Sequence, residues 1–204
     1  MPTRLLLLRH GQSTWNAQRR WQGQANPPLS ETGEQQAYDA SRLLGTFDAV
    51  IASTLERTRR TAEIIAGQLG IGPVHLDERL IENDAGEWTG LNRHEIEAGW
   101  PGFLAAGQLP PGFESVESTS ARALAAMIDV ARNHPDGEVL VLTHGGVIRH
   151  LRRILEVTDV HIPNLSGAWF IVEPHPPVDV RAADVVHLLE TPGTPPSPAE
   201  GQRV

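Results

Sequence analysis

The sequence predicts a three-layer α/β/α sandwich around a mostly parallel central sheet. Two observations carry this reading. Short apolar runs occur at residues 5–8, 48–53 and 137–146, as in strands buried on both faces. Between the runs lie segments whose apolar residues recur at helical spacing. Strands that alternate with helices build parallel sheets covered by helices.

The first element is the leucine run at 5–8, which stops abruptly at Arg9, His10 and Gly11. A helix follows over Ala37, Ala40, Leu44 and Phe47, with Thr32 and Gln35 as its expected capping box. "DAVIAS" (48–53) is the next strand. Thr58, Ala62, Ile65 and Leu69 mark a helix that Gly70 ends. Residues 91–113 are Gly- and Pro-rich with little periodicity, and read as a short helix plus loops covering one end of the sheet. Val116, Ala123, Met127 and Val130 mark a long helix ending near Asn133. "GEVLVLTHGG" (137–146) is a strand, and Val147, Leu151 and Ile154 mark a helix right after it. "WFIV" (169–172) and "VVHLLE" (185–190) read as late strands at one edge. The expected organisation is one domain over 1–190 and a disordered tail over 191–204.

Composition narrows the function. A chain of 204 residues can bury a substantial core without staples. It has no cysteine, which excludes disulfides and thiolate metal sites and fits a cytoplasmic protein. No stretch approaches the roughly 20 apolar residues of a membrane span, and the leucine run is too short for a signal peptide. A net charge of −8 argues against a nucleic-acid partner. All 17 basic residues are arginine.

In open α/β sheets, ligands bind outside the carboxyl ends of the strands. Arg9 and His10 end the first strand, Ser53 to Arg57 follow the second, and His144 ends the strand at 137–146. If these strands are neighbours, Arg, His, Arg and His converge on one crevice. In an acidic protein such a cluster points to a small anion, above all phosphate, whose oxygens match the guanidinium fork. Gly11, Gly145 and Gly146 would let backbone approach the anion. A neutral histidine can attack phosphorus, and neighbouring arginines lower its pKa. The leaving oxygen then needs a proton donor. Glu82, Asp84 and Glu87 are available, and spacing does not choose among them.

Other groups read more plainly. His75, His134, His150, His161, His175 and His187 have no local task and read as structural, while His94 lies in the covering segment and stays open. Arg59, Arg60, Arg152 and Arg153 read as solvated or salt-bridged helix faces. No histidine pair has H-E-x-x-H spacing, which argues against zinc.

Five blocks resemble the histidine phosphatase superfamily, the phosphoglycerate-mutase-like enzymes. They are "LLRHGQSTWN", "RWQGQANPPLSETGEQQA", "STLERTRRTA", "LIENDAGEWTG" and "VLVLTHGGVIR". They occur in the family order and span residues 4 to about 155. The resemblance implies that His10 is the nucleophile, forming a phosphohistidine. It makes Arg9, Arg57 and His144 the binders of the phosphoryl oxygens. Asn16, Gln22, Gly23 and Gly145 would line the phosphate pocket, and Glu82 would be general acid and then base. No metal and no cofactor is implied. Two departures stand out. Thr58 replaces the usual alanine, and Ala85 replaces a larger residue, which would widen the pocket near Glu82.

The family holds both mutases and phosphatases. Its glycolytic mutases resemble one another in a lysine and an Arg-Arg pair after the glutamate motif. Here 91–113 offers only Arg93 and His94. The implied activity is therefore metal-independent hydrolysis of a small phosphate monoester, with a mutase or an inactive ligand-binding member as the alternatives. An inactive member should lack His10, Arg57, Glu82 or His144, and all four are present. Candidate substrates by resemblance are sugar phosphates, phosphoglycerate derivatives and α-ribazole phosphate. Glu114 and Ser115 face the site or cap the long helix. Trp15, Trp21, Trp88 and Trp100 wall a pocket or simply pack. The 160–190 region is a candidate homodimer edge.

Overall fold

The computed structural model describes residues 2–189. The strands are β1 (Thr3–Arg9), β2 (Ala49–Ala52), β3 (Val74–Leu76), β4 (Glu138–Thr143), β5 (Ser166–Glu173) and β6 (Asp179–His187). The helices are α1 (Thr14–Ala17), α2 (Glu31–Ser41), α3 (Glu56–Leu69), α4 (Arg93–Gly99), α5 (Phe103–Ala106), α6 (Val116–Asn133) and α7 (Gly145–Ile154). One sheet runs in the order β3-β2-β4-β1-β5-β6. β3, β2, β4 and β1 are parallel, while β5 and β6 are antiparallel. The expected α/β/α sandwich is therefore present, and the three motif strands are adjacent as β2-β4-β1.

The leucine run is explained by burial on both faces. Leu5 and Leu7 pack with α6 and α7 through Ala123, Met127, Val147 and Leu151. Leu6 and Leu8 pack with α2 and α3 through Ala37, Ala40, Ala62 and Ile65. All four leucines are almost fully buried, and each contributes roughly 1.5–3 kcal/mol.

Several local expectations change. α2 is capped by Ser30, whose hydroxyl accepts from the Gly33 N–H, and not by Thr32. It ends at Ser41, short of Phe47, which stacks on Trp169. β3 went unread because it is three residues long and mostly exposed. β6 begins at Asp179, well before the expected 185, since an edge strand of mixed polarity leaves no apolar run. The covering segment holds two short helices, α4 and α5. The expected tail, 191–204, lies outside the described residues. Among the described residues no helix is long and apolar enough to cross a membrane.

Gly11 follows His10 for a packing reason. A Cβ at Gly11 would sit 2.5 Å from the Gly33 carbonyl oxygen, and one at Gly33 would sit 2.0 Å from that of Gln12. The start of α2 is thus pressed against the loop leaving β1, and the Gly11 N–H donates to Thr61 Oγ1 of α3 (3.1 Å). In urea unfolding, Gly33→Ala should lower stability by at least about 2 kcal/mol. Gly67→Ala, on α3 with open space around it, should raise it by about 0.5–1 kcal/mol. Equal effects would refute this packing argument.

Candidate active site

The carboxyl ends of β1, β2 and β4 deliver the expected cluster. Arg9, His10, Arg57 and His144 are all at least 95 % buried. His10 Nδ1 donates to the Gly11 carbonyl (2.6 Å), which leaves Nε2 as the acceptor, and Arg57 Nε donates to it (3.2 Å). This tautomer follows from the hydrogen-bond partners. The His144 ring stands edge-on to His10, with centroids 5.2 Å apart. His144 Nε2 lies 2.9 Å from Ser53 Oγ and 3.2 Å from Thr58 Oγ1. Thr58, a departure from the family pattern, thus gives His144 a second hydroxyl.

Arg57 sits in the first turn of α3. The N-cap residue Leu55 offers no capping side chain, and Asn26 Oδ1 accepts from the Glu56 N–H instead (2.7 Å). The Arg57 Nη atoms donate to the carbonyls of Ala25 (2.7 Å) and Gly23 (2.9 Å). Arg9 Nη1 donates to the Ile162 carbonyl (2.7 Å).

Of the three candidate acids, only Glu82 lines the cleft. Its carboxylate accepts from the N–H groups of Gly146 (3.1 Å) and Asn83 (3.0 Å). A Cβ at Gly146 would lie 2.5 Å from Glu82 Oε1, so this glycine makes room for the acid. Asp84 turns back to the Gly86 N–H (2.9 Å), and Glu87 is exposed. Arg122 of α6 holds the acid loop. It donates to the carbonyls of Arg79, Ile81 and Glu82 and to both oxygens of Glu114. No sequence signal marks Arg122. Burial opposes charge on Glu114, but hydrogen bonds from Arg122 and Ser118 outweigh it and hold the carboxyl down to about 2. Ser115 caps α6 through the Ser118 N–H (3.1 Å).

The cleft has a volume of about 330 Å³. Asn16 and Gln22 line it, whereas Gly23 and Gly145 do not. Gly23 (φ +47°) packs against Ala85, and its carbonyl holds Arg57. Gly145 is buried at the start of α7. Asn16 Oδ1 accepts from the Ser13 N–H (3.1 Å), while its buried Nδ2 has no partner. Asn164, which the sequence reading missed, donates to the His10 carbonyl (2.9 Å). Ala85 does not widen the cleft, because it is buried among Trp21, Trp88 and Phe113. Trp21 alone of the four tryptophans lines the cleft. His150 and Arg153, read as structural or solvated, also line it. Arg152 is buried, donating to the Thr158 and Ala183 carbonyls. The helical phase of α7 holds the missed signal. With Val147, Ile148 and Leu151 facing the core, positions 149, 150 and 153 share another face.

Burial, and then the charges of Arg57 and Arg9, keep the His10 imidazole well below its ordinary range. Burial, Arg57 and His10 do the same to His144. Burial lowers Arg9 and Arg57 to about 10, against the opposing pull of Glu82. Among the described residues no group of three or more His, Asp or Glu side chains is placed to hold a metal ion.

The fold and this Arg-His-Arg-His cleft with Glu82 beside it define a phosphoryl-handling enzyme of the α/β class. Residues 5–168 match the histidine phosphatase superfamily (branch 1), and the chain belongs to that family. It is similar to a 2,3-bisphosphoglycerate-dependent phosphoglycerate mutase of Methylobacterium radiotolerans, at 33% identity over 79% of this chain and 84% of that protein. It is equally similar to a glucosyl-3-phosphoglycerate phosphatase of Mycobacterium tuberculosis, at 33% identity over 80% of each. A solved structure of the mycobacterial glucosyl-3-phosphoglycerate phosphatase with VO3 superposes with a TM-score of 0.73, at 30% identity over 88% of this chain and 96% of that one.

The neutral buried histidines set a pH dependence. Burial, with Arg149 and Arg153, also lowers His150 to about 4. In the unfolded chain these groups titrate near 6.5. Below that pH the unfolded state binds more protons than the folded one, so stability is complete above about 6.5 and is lost as pH falls. Each of the three should cost roughly 1.4 kcal/mol per pH unit in that window. Urea midpoints should therefore drop between pH 7.5 and 5.0, with a shallower slope in His150→Gln. A flat profile would refute neutral burial. Arg122→Ala should cost about 3 kcal/mol in the same assay, because it strands the Glu114 carboxylate. A loss under about 0.5 kcal/mol would make the clamp decorative.

Proposed function

We propose that this enzyme hydrolyses small phosphate monoesters through a phosphohistidine on His10, without a metal ion. The observation that carries the reading is the buried His10, whose Nε2 accepts from Arg57 Nε in a cleft that Glu82 also lines. His10 Nε2 attacks phosphorus as the ester P–O bond breaks, and Glu82 gives its proton to the leaving oxygen. Water then attacks the phosphohistidine, Glu82 takes the water proton, and the P–N bond breaks to free phosphate. Arg9, Arg57 and His144 stabilise the charge on the transferring group. The unpartnered Asn16 Nδ2 supplies a further donor to a phosphoryl oxygen, with Gln22 beside it. Gly23 and Gly145 act from behind this surface, the first by holding Arg57.

Hydrolysis is favoured over the mutase reading because the covering segment brings Gly107, Leu109 and Phe113 to the cleft, and neither Arg93 nor His94. The proposal includes a cytoplasmic location, supported by the absence of cysteine, and a homodimer along β6, supported by its place at the sheet edge.

The test is phosphate release from p-nitrophenyl phosphate in EDTA. Wild type should turn over, His10→Ala should not, and Glu82→Gln should be slowed about 10²–10⁴-fold. Turnover that survives loss of His10 would overturn the mechanism.

A further inference from the structure

The cations that the covering segment does not bring to the cleft come from α7. α7 turns Arg149, His150 and Arg153 toward it. Their charges are not equally free. Arg149 is paired with Asp159 (3.2 Å), and Glu114 with Arg122 (2.8 Å), so both lining carboxylates of the outer cleft are neutralised. Arg153 forms no ion pair among the described residues. Glu117 of α6 lies within its electrostatic range but does not pair with it. His150 is largely buried beside it, and its Nδ1 has no partner. Leu109 and Phe113, which the covering segment brings to the same cleft, are apolar. One exposed guanidinium with no ion pair among the described residues therefore overlooks the outer cleft of a protein whose net charge is −8.

Distance along the helix places this charge relative to the chemistry. Gly146 holds the Glu82 carboxylate, and Arg153 lies about 10 Å further along the axis. Helical side chains lean toward the N-terminus, which brings the guanidinium back over the cleft. A single positive charge matches a single negative one better than a second phosphate.

Resting on the reading above, we propose that Arg153, with His150, forms a carboxylate subsite, so that preferred substrates are phosphate monoesters bearing a carboxylate several bonds from the ester oxygen. Arg153 is here a specificity residue and takes no part in the bond changes.

Calorimetry with 6-phosphonohexanoic acid and its primary amide tests this without turnover. Wild type should bind the acid about tenfold more tightly than the amide. Arg153→Gln should lose that preference while binding the amide and hydrolysing p-nitrophenyl phosphate as wild type does. Equal binding of acid and amide by wild type, or a preference that survives Arg153→Gln, overturns the subsite. Loss of the hydrolytic reading is seen separately, as absent p-nitrophenyl phosphate turnover with the acid preference intact.

Discussion

Two guanidinium groups and two imidazoles are buried side by side at the ends of three strands, with Glu82 as the carboxylate that opposes them. Two unit charges about 5 Å apart repel by on the order of 3 kcal/mol at an effective dielectric of 20. The fold relieves this in two ways. Both imidazoles stay neutral. The guanidiniums are solvated by backbone carbonyls at Ile162, Gly23 and Ala25. Each carbonyl belongs to a loop with no regular structure, so the loop conformations and the charge cluster stabilise one another. What remains is an excess of donors already oriented for an anion. Donors fixed before the reaction cost no reorganisation when charge develops.

Glu82 is positioned by the complementary device. Glu82 rests on the first turn of α7, where free N–H groups favour a carboxylate. Its loop is fixed from the other side by Arg122, which binds the carbonyls of Arg79, Ile81 and Glu82 and the half-buried Glu114 carboxylate. The glycines of the motifs serve this packing. Gly146 admits Glu82, Gly23 admits Ala85, and Gly11 admits the start of α2. Gly11 and Gly146, expected as openings for an anion, are instead places where loops meet tightly.

Where pattern is local, the sequence was legible. The leucine run, the Gly70 stop and the His10–Gly11 junction each declare themselves within a few residues. Ser30 and Thr32 are both able to cap, and only the contact of Ser30 with Gln12 distinguishes them. Arg152 and Arg153 are adjacent, yet the phase of α7 buries one and turns the other to the cleft. That phase depends on the helix starting at Gly145, inside the motif. Arg122 was invisible because its partners are carbonyls of a distant loop. Edge strand β3 and the first part of β6 lack a buried second face, so no apolar run marks them.

The covering segment is best understood as a fixed wall. Trp88 is fully buried and meets Trp21 edge to face at 5.0 Å, with Trp100 and Phe113 on its other sides. Stripping a tryptophan of that packing costs roughly 4–6 kcal/mol. Phe113 also pairs with Ala85, and the Glu114 N–H donates to the Asp84 carbonyl (3.0 Å), so the wall and the acid loop move together. Swinging the segment aside would displace Glu82 as well. To the cleft this wall brings Gly107, Leu109 and Phe113, and no cation. The same packing that fixes Glu82 thus leaves the wall no charged group with which to hold the second anionic group of a bisphosphate.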